Sequence, residues 1–112
     1  STVTKVNYPG LESHPAYSRA RDLFDGFGGT LSFEVNGGAA AARVLDQIKL
    51  PIVAPSLGGV ESLITRPAVT SHAGMSPAER EQLGISDRLI RLSVGIESTD
   101  DLVEDFAQAL AA

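Results

Sequence analysis

The sequence predicts an α+β fold, a small and mostly antiparallel sheet with helices packed against it. Three observations lead to this. Residues 30–35 and 89–96 alternate side chains with the period of two that a strand in a packed sheet requires. Residues 38–48 and 99–110 space apolar residues three and four apart, the period of a helix with one buried face. Strand and helix patterns are interspersed and joined by short stretches marked with Gly and Pro, so they pack as one layered domain.

From the amino terminus, residues 2–8 are rich in β-branched and aromatic side chains and stop at Pro9-Gly10, which predicts a strand closing in a turn. Ser13-His14-Pro15 offers a helix start, with Tyr17, Ala20, Leu23 and Phe24 at helical spacing, until Gly26, Gly28 and Gly29 break the pattern. Thr30 to Val35 reads as a strand with Leu31, Phe33 and Val35 on one face. Asn36-Gly37-Gly38 then turns into an alanine-rich helix whose buried stripe is Val44, Leu45 and Ile48. Pro51 to Pro55 is a short apolar strand bounded by prolines, Ser56-Leu57-Gly58-Gly59 a loop, and Val60 to Thr65 another short strand. Ser76-Pro77-Ala78-Glu79 combines a serine cap, a first-turn proline and an acid at the third position, and that helix ends at Gly84. Leu89 to Ile96 has the clearest strand pattern: Ile90, Leu92, Val94 and Ile96 face one way, Leu89, Arg91, Ser93 and Gly95 the other. Ser98 or Thr99 caps a terminal helix with Asp100 and Asp101 at its positive end and Leu102, Val103, Phe106 and Leu110 as its apolar face.

Composition narrows the function. With 112 residues the chain is one domain, long enough for a core without staples. A net charge of -5 with scattered arginines argues against a nucleic-acid surface, which needs clustered Lys and Arg. Zero cysteines removes disulfides, thiolate chemistry and cysteine metal sites, and two distant histidines give no metal-ligand spacing. No apolar run reaches the length of a bilayer span, and no basic-then-apolar signal segment opens the chain. The lack of cysteines is compatible with cytoplasm, the expected location, or an organelle stroma. Gly58-Gly59 lacks the Lys-Ser/Thr tail of a phosphate-binding P-loop. The chain opens Ser1-Thr2-Val3, which suits a polypeptide cut from a longer one or trimmed of its first residue.

Arg91 leads the candidate functional residues. Strand alternation sets it opposite the Ile90/Leu92 stripe, where a rigid backbone holds a planar, permanently charged fork able to grip a carboxylate. Ser56 follows Pro55 and precedes two glycines that allow close backbone approach to a ligand. Thr70-Ser71-His72 offers hydroxyls beside an imidazole. His72 has the chemistry of an acid or base, and a structural, hydrogen-bonded histidine is the plainer reading; His14 is read as part of a helix cap. Nothing in the spacing pairs Glu61 with Glu97.

Ala54-Pro55-Ser56-Leu57-Gly58-Gly59-Val60-Glu61-Ser62-Leu63-Ile64 and Leu89-Ile90-Arg91-Leu92-Ser93-Val94-Gly95-Ile96-Glu97 together resemble the C-terminal domain of the pyridoxal-phosphate-dependent transsulfuration (Cys/Met metabolism) enzymes, of fold type I. Nearly the whole chain shares the likeness, and Pro55, Tyr8 to Pro15 and Gly28 to Glu34 look most like the cystathionine gamma-synthase and gamma-lyase branch, the plant-type synthase in particular. The resemblance implies that Arg91 binds the substrate's α-carboxylate. It also implies that Ser56 lies beside both cofactor and carboxylate, that Pro55 shapes the substrate pocket, and that Ser71 supports the carboxylate. The family often has methionine where this chain has Thr70, so the hydroxyl is kept and the methionine lost.

The same resemblance implies that residues 1–112 form a single substrate-binding domain without the large cofactor-binding domain. The family's cofactor lysine sits in a Ser/Thr-flanked motif that neither Lys5 nor Lys49 matches. The isolated chain is therefore expected to be inactive, as part of a parent lyase or transferase that works on cystathionine-type or homoserine-ester amino acids as a homotetramer. A stand-alone binding or assembly module derived from the domain is the alternative. Synthase, lyase and sulfhydrylase share these motifs, so the reaction type stays open.

Overall fold

The two strongest alternating patterns become the centre of the sheet. The computed structural model describes residues 2–111. Its elements are β1 (Val3–Asn7), α1 (Tyr17–Leu23), β2 (Thr30–Val35), α2 (Gly38–Gln47), β3 (Ile52–Val53) and β4 (Leu63–Thr65). A 3-10 turn at Pro67–Val69 follows, then α3 (Pro77–Gln82), β5 (Leu89–Ser93) and α4 (Thr99–Ala111). The strand order is β1-β2-β5-β4-β3. Three of the pairings are antiparallel; the short β3–β4 pair at one edge is parallel. The predicted mostly antiparallel α+β sheet is what forms.

One face of this sheet makes the core. Phe33 and Val35 from β2, Ile90 and Leu92 from β5 and Ile64 from β4 pack against Ala40, Ala41, Val44 and Ile48 of the α2 region and Ala109 of α4, with Phe106 edge-on to Phe33. The Val44/Leu45/Ile48 stripe is where periodicity put it, with two small alanines added where the helix lies close to the sheet. The opposite face is also partly closed: Leu63, Thr65, Leu89 and Ser93 are buried there.

Several element boundaries differ from the sequence expectation. Strand β5 stops at Ser93, and Val94 and Ile96 are exposed, Ile96 at 82%. Beyond Ser93 the amides leave the ladder, Val94 N donating to Gly29 O and Ile96 N to Val60 O. Strand β4 covers only Leu63–Thr65, with Val60 and Glu61 exposed in the preceding loop. Helix α1 begins at Tyr17 with no side-chain cap from Ser13; His14 does act locally, its Nδ1 accepting from Ala16 N at 3.0 Å. That helix ends before the glycines, at an extended Phe24, and it buries only Ala20, leaving Leu23 and Phe24 at 66% and 65% exposure. Helix α3 has the predicted capping box between Ser76 and Glu79, and Gly84 at φ +76° ends the turn. At α4, Ser98 Oγ accepts from Asp101 N at 3.4 Å.

Val103 of α4 is exposed, and the acid Asp105 is buried instead. Its carboxylate accepts from Lys49 N (2.9 and 3.1 Å), Leu50 N (2.7 Å) and the Gln108 amide (2.9 Å), so it caps the chain leaving α2. Burial pushes the Asp105 pKa up; the bonds from Leu50, Gln108 and Lys49, with the Lys49 charge, outweigh this and hold it below its ordinary value. A depressed folded pKa contributes stability above the unfolded value of about 4, and that contribution is lost as pH falls through the folded value. Asp105→Ala is therefore expected to cost about 2 kcal/mol at neutral pH in urea unfolding, with the gap to wild type closing below about pH 4. An unchanged midpoint would contradict the capping role.

Candidate substrate site

Arg91 lies at the middle of β5, opposite Ser32 of β2 and Thr65 of β4 in register. Since Asn7 pairs with Ser32, a polar row Asn7–Ser32–Arg91–Thr65 crosses the sheet on the face away from the core. Neighbouring bonds order this row: Asn7 donates to Ser32 Oγ at 3.1 Å, and Thr65 Oγ1 and Thr70 Oγ1 share a bond at 2.9 Å.

The guanidinium is partly anchored by the loop between β3 and β4. Arg91 Nη2 donates to Pro55 O at 2.6 Å and to Ser56 O at 2.9 Å. Two of its five donors are thereby used, leaving Nη1 and the Nε–H. The Nε is buried and has no partner among the described residues. A fixed cation with unused donors is suited to an anion, and a carboxylate matches its planar geometry.

Beside Arg91 is an open hollow of about 320 Å³ lined by Thr30, Ser32, Ser71, His72, Leu89 and Arg91 among others. Ser71 Oγ and His72 Nδ1 share a hydrogen bond of 2.7 Å, so the imidazole has a local structural partner. Of the residues singled out in the sequence, Arg91 and Ser71 line one hollow, while Pro55 and Ser56 reach Arg91 through their carbonyls. The Ser56 side chain is exposed. Thr30, Ser32 and Thr65 did not stand out in the sequence. Alternation places Ser32 opposite Leu31 and Phe33, but only strand register shows that it neighbours Arg91.

The loop over Arg91 is tied down at its far end as well. Gly58 N donates to Ser93 Oγ at 2.8 Å. Glu97 accepts from Ser62 N and Ser62 Oγ, both at 2.8 Å, and Ser62 Oγ in turn accepts from Gly95 N at 2.9 Å. The Ser62 amide, then its hydroxyl, hold the Glu97 carboxyl below the usual carboxylate range. Gly58 at φ +82° takes the left-handed turn that starts this path.

The site is thus a small sheet that carries an arginine on the face away from the core, under a proline–serine–glycine loop. Comparison with known proteins gives the family. The description "Cys/Met metabolism PLP-dependent enzyme" matches residues 1–111, and the chain belongs to that family. It is 51% identical over 109 residues to a cystathionine gamma-lyase of Dictyostelium discoideum and 46% identical over 109 residues to the chloroplastic cystathionine gamma-synthase 1 of Nicotiana tabacum. Each match covers 96% of this chain, but 28% of the lyase and 20% of the synthase. The crystal structure of cystathionine gamma synthase from Xanthomonas oryzae pv. oryzae in complex with cystathionine superposes with a TM-score of 0.92 at 46% identity, covering 99% of this chain and 29% of that one. The α+β C-terminal-domain fold and the cystathionine-enzyme resemblance both stand. Identity does not separate a plant-synthase branch from the lyases. The chain thus spans between a fifth and under a third of the relatives' length.

Gly95 is where loop and strand extension touch. A Cβ there would sit 2.2 Å from Val60 O and 2.6 Å from Ser62 N, both backbone atoms. Gly95→Ala is expected to destabilise the chain by on the order of 2 kcal/mol in chemical unfolding, because neither partner is a flexible side chain. A midpoint equal to wild type would rule out this close contact.

Proposed function

We propose that this chain is the substrate-anchoring domain of a pyridoxal-phosphate-dependent transsulfuration enzyme, with Arg91 gripping the α-carboxylate of a cystathionine-type or homoserine-ester amino acid. The observation that carries the reading is Arg91 itself: a strand-borne guanidinium, oriented by the Pro55 and Ser56 carbonyls, with donors to spare above an open hollow. Ser71 supplies a hydroxyl at the hollow beside that head group, Ser56 supplies a carbonyl that holds it, and Pro55 stiffens the loop that bounds it. Membership of the family and the cystathionine named with one solved relative support the substrate class.

The cofactor's covalent seat is assigned to a larger domain outside this chain. Lys5 stands on the edge strand β1 opposite Glu34, and Lys49 lines a separate groove with Glu104 and Asp105; neither lines the hollow beside Arg91. An amine remote from the carboxylate anchor does not serve as the Schiff-base lysine. The residues described here fit a substrate's carboxylate and not the attachment of pyridoxal phosphate, so the chain by itself is assigned no turnover.

In the longer enzyme, Arg91→Ala is expected to raise KM for the amino-acid substrate about 10- to 100-fold and to lower kcat/KM in proportion, as loss of a charged contact does. A KM that does not move sinks the assignment. The isolated chain, incubated with pyridoxal phosphate and cystathionine, is expected to release no keto acid; measurable release would assign the cofactor site to this domain after all.

A further inference from the structure

We propose that Glu97 is a positioning residue for the substrate site: by gripping Ser62 it holds the 55–62 loop so that the Pro55 and Ser56 carbonyls aim Arg91. The inference rests on the carboxylate-anchor reading above and adds to it a residue that touches neither substrate nor Arg91.

The path is continuous in hydrogen bonds. Strand β5 carries Arg91 and Ser93, and its extension carries Gly95 and Glu97. Opposite it runs the loop from Pro55 to Ser62, met at five points. Arg91 Nη2 meets the Pro55 and Ser56 carbonyls, and Gly58 N meets Ser93 Oγ. Ile96 N meets Val60 O, and Glu97 meets Ser62. Four of these involve a single hydrogen-bond donor on the loop or on the strand extension, or the arginine itself. The Glu97–Ser62 contact is different in kind: both carboxylate oxygens are engaged by one residue's amide and hydroxyl, and that hydroxyl passes the order back to Gly95 N.

Backbone bonds hold the loop's flanks, Ile52 N to Ser62 O at 2.8 Å and Ala54 N to Ile64 O at 3.1 Å, and between them little else fixes it. Pro55 through Glu61 are exposed, and Gly58 and Gly59 have open space where a Cβ would be. No helix spans the segment, so its ends and its hydrogen bonds set its shape. A long cationic side chain such as Arg91 samples many rotamers unless acceptors order it, and two carbonyls on one nitrogen do so only if the loop stays put. Glu97 is the charged acceptor at the loop's exit, and charge-assisted bonds are the stronger ones.

The test uses the full-length enzyme with Glu97→Ala, Glu97→Gln, Ser62→Ala, Arg91→Ala and the Arg91→Ala/Glu97→Ala double variant. Three quantities are read: KM and kcat for the substrate, Kd for L-norleucine (an amino acid with no leaving group), and amide exchange across residues 55–62. Glu97→Ala is expected to raise KM and Kd by about 10-fold with kcat within about twofold, and to speed exchange of the loop amides. Glu97→Gln keeps an oxygen for the Ser62 amide and is expected to recover part of the loss. In the Arg91→Ala background, removing Glu97 is expected to add less than about twofold, because the residue it positions is gone. Should Glu97→Ala fail to fold, Ser62→Ala, which removes only the hydroxyl contacts, is expected to shift KM and Kd in the same direction by about threefold.

The proposal is overturned if KM and Kd stay at wild-type values in the folded Glu97 or Ser62 variants while Arg91→Ala raises both. It is equally overturned if the Glu97 effect is the same with and without Arg91, which is what a merely structural role predicts. If Arg91→Ala itself leaves KM unmoved, the anchor reading falls and the positioning role falls with it, a result distinct from the first two.

Discussion

The crossing of the 55–62 loop over the extension of β5 is the constraint on which the rest of the site depends. At Gly95 two stretches of backbone approach so closely that no side chain fits between them. That closeness lets Ser62 bond to both Gly95 and Glu97, and lets Ile96 reach Val60. It also explains why β5 ends at Ser93. Amides that would extend the ladder are spent on the loop and on Gly29, so Val94 and Ile96 turn out to solvent despite their apolar pattern.

The sheet keeps its two faces chemically apart. On one side, interlocked apolar groups from β2, β4 and β5 meet two helices and form the core. On the other, the row Asn7–Ser32–Arg91–Thr65 crosses four strands, a band of hydrogen-bonding groups with the charge at its middle. Holding an arginine on a strand in the middle of a sheet places its backbone by the ladder bonds on both sides, which is more rigid support than a loop gives. The loop then need only set the side-chain direction.

Buried polar groups do comparable work away from the site. Asp105, outside the apolar stripe expected of α4, is buried, and it satisfies the amides of Lys49 and Leu50 just after α2. Unsatisfied, those donors would be costly near the core. One carboxylate thus ties α4 to the chain that leads into β3, and through it to the start of the loop that covers Arg91.

The sequence by itself determined the element types and the main apolar stripes, because periods of two and 3.6 are properties of the local backbone. It also singled out Arg91, since strand alternation alone sets that residue opposite Ile90 and Leu92. The capping box at Ser76 and the helix stop at Gly84 were legible for the same reason: each needs only residues within one turn. Tertiary structure decided the remainder. The end of β5 depends on a loop some thirty residues earlier in the chain (Val60 O holds Ile96 N, Ser62 holds Gly95 and Glu97), and the burial of Asp105 depends on where α2 ends. The neighbours of Arg91 follow from strand register, and register comes from long-range pairing that no local pattern encodes.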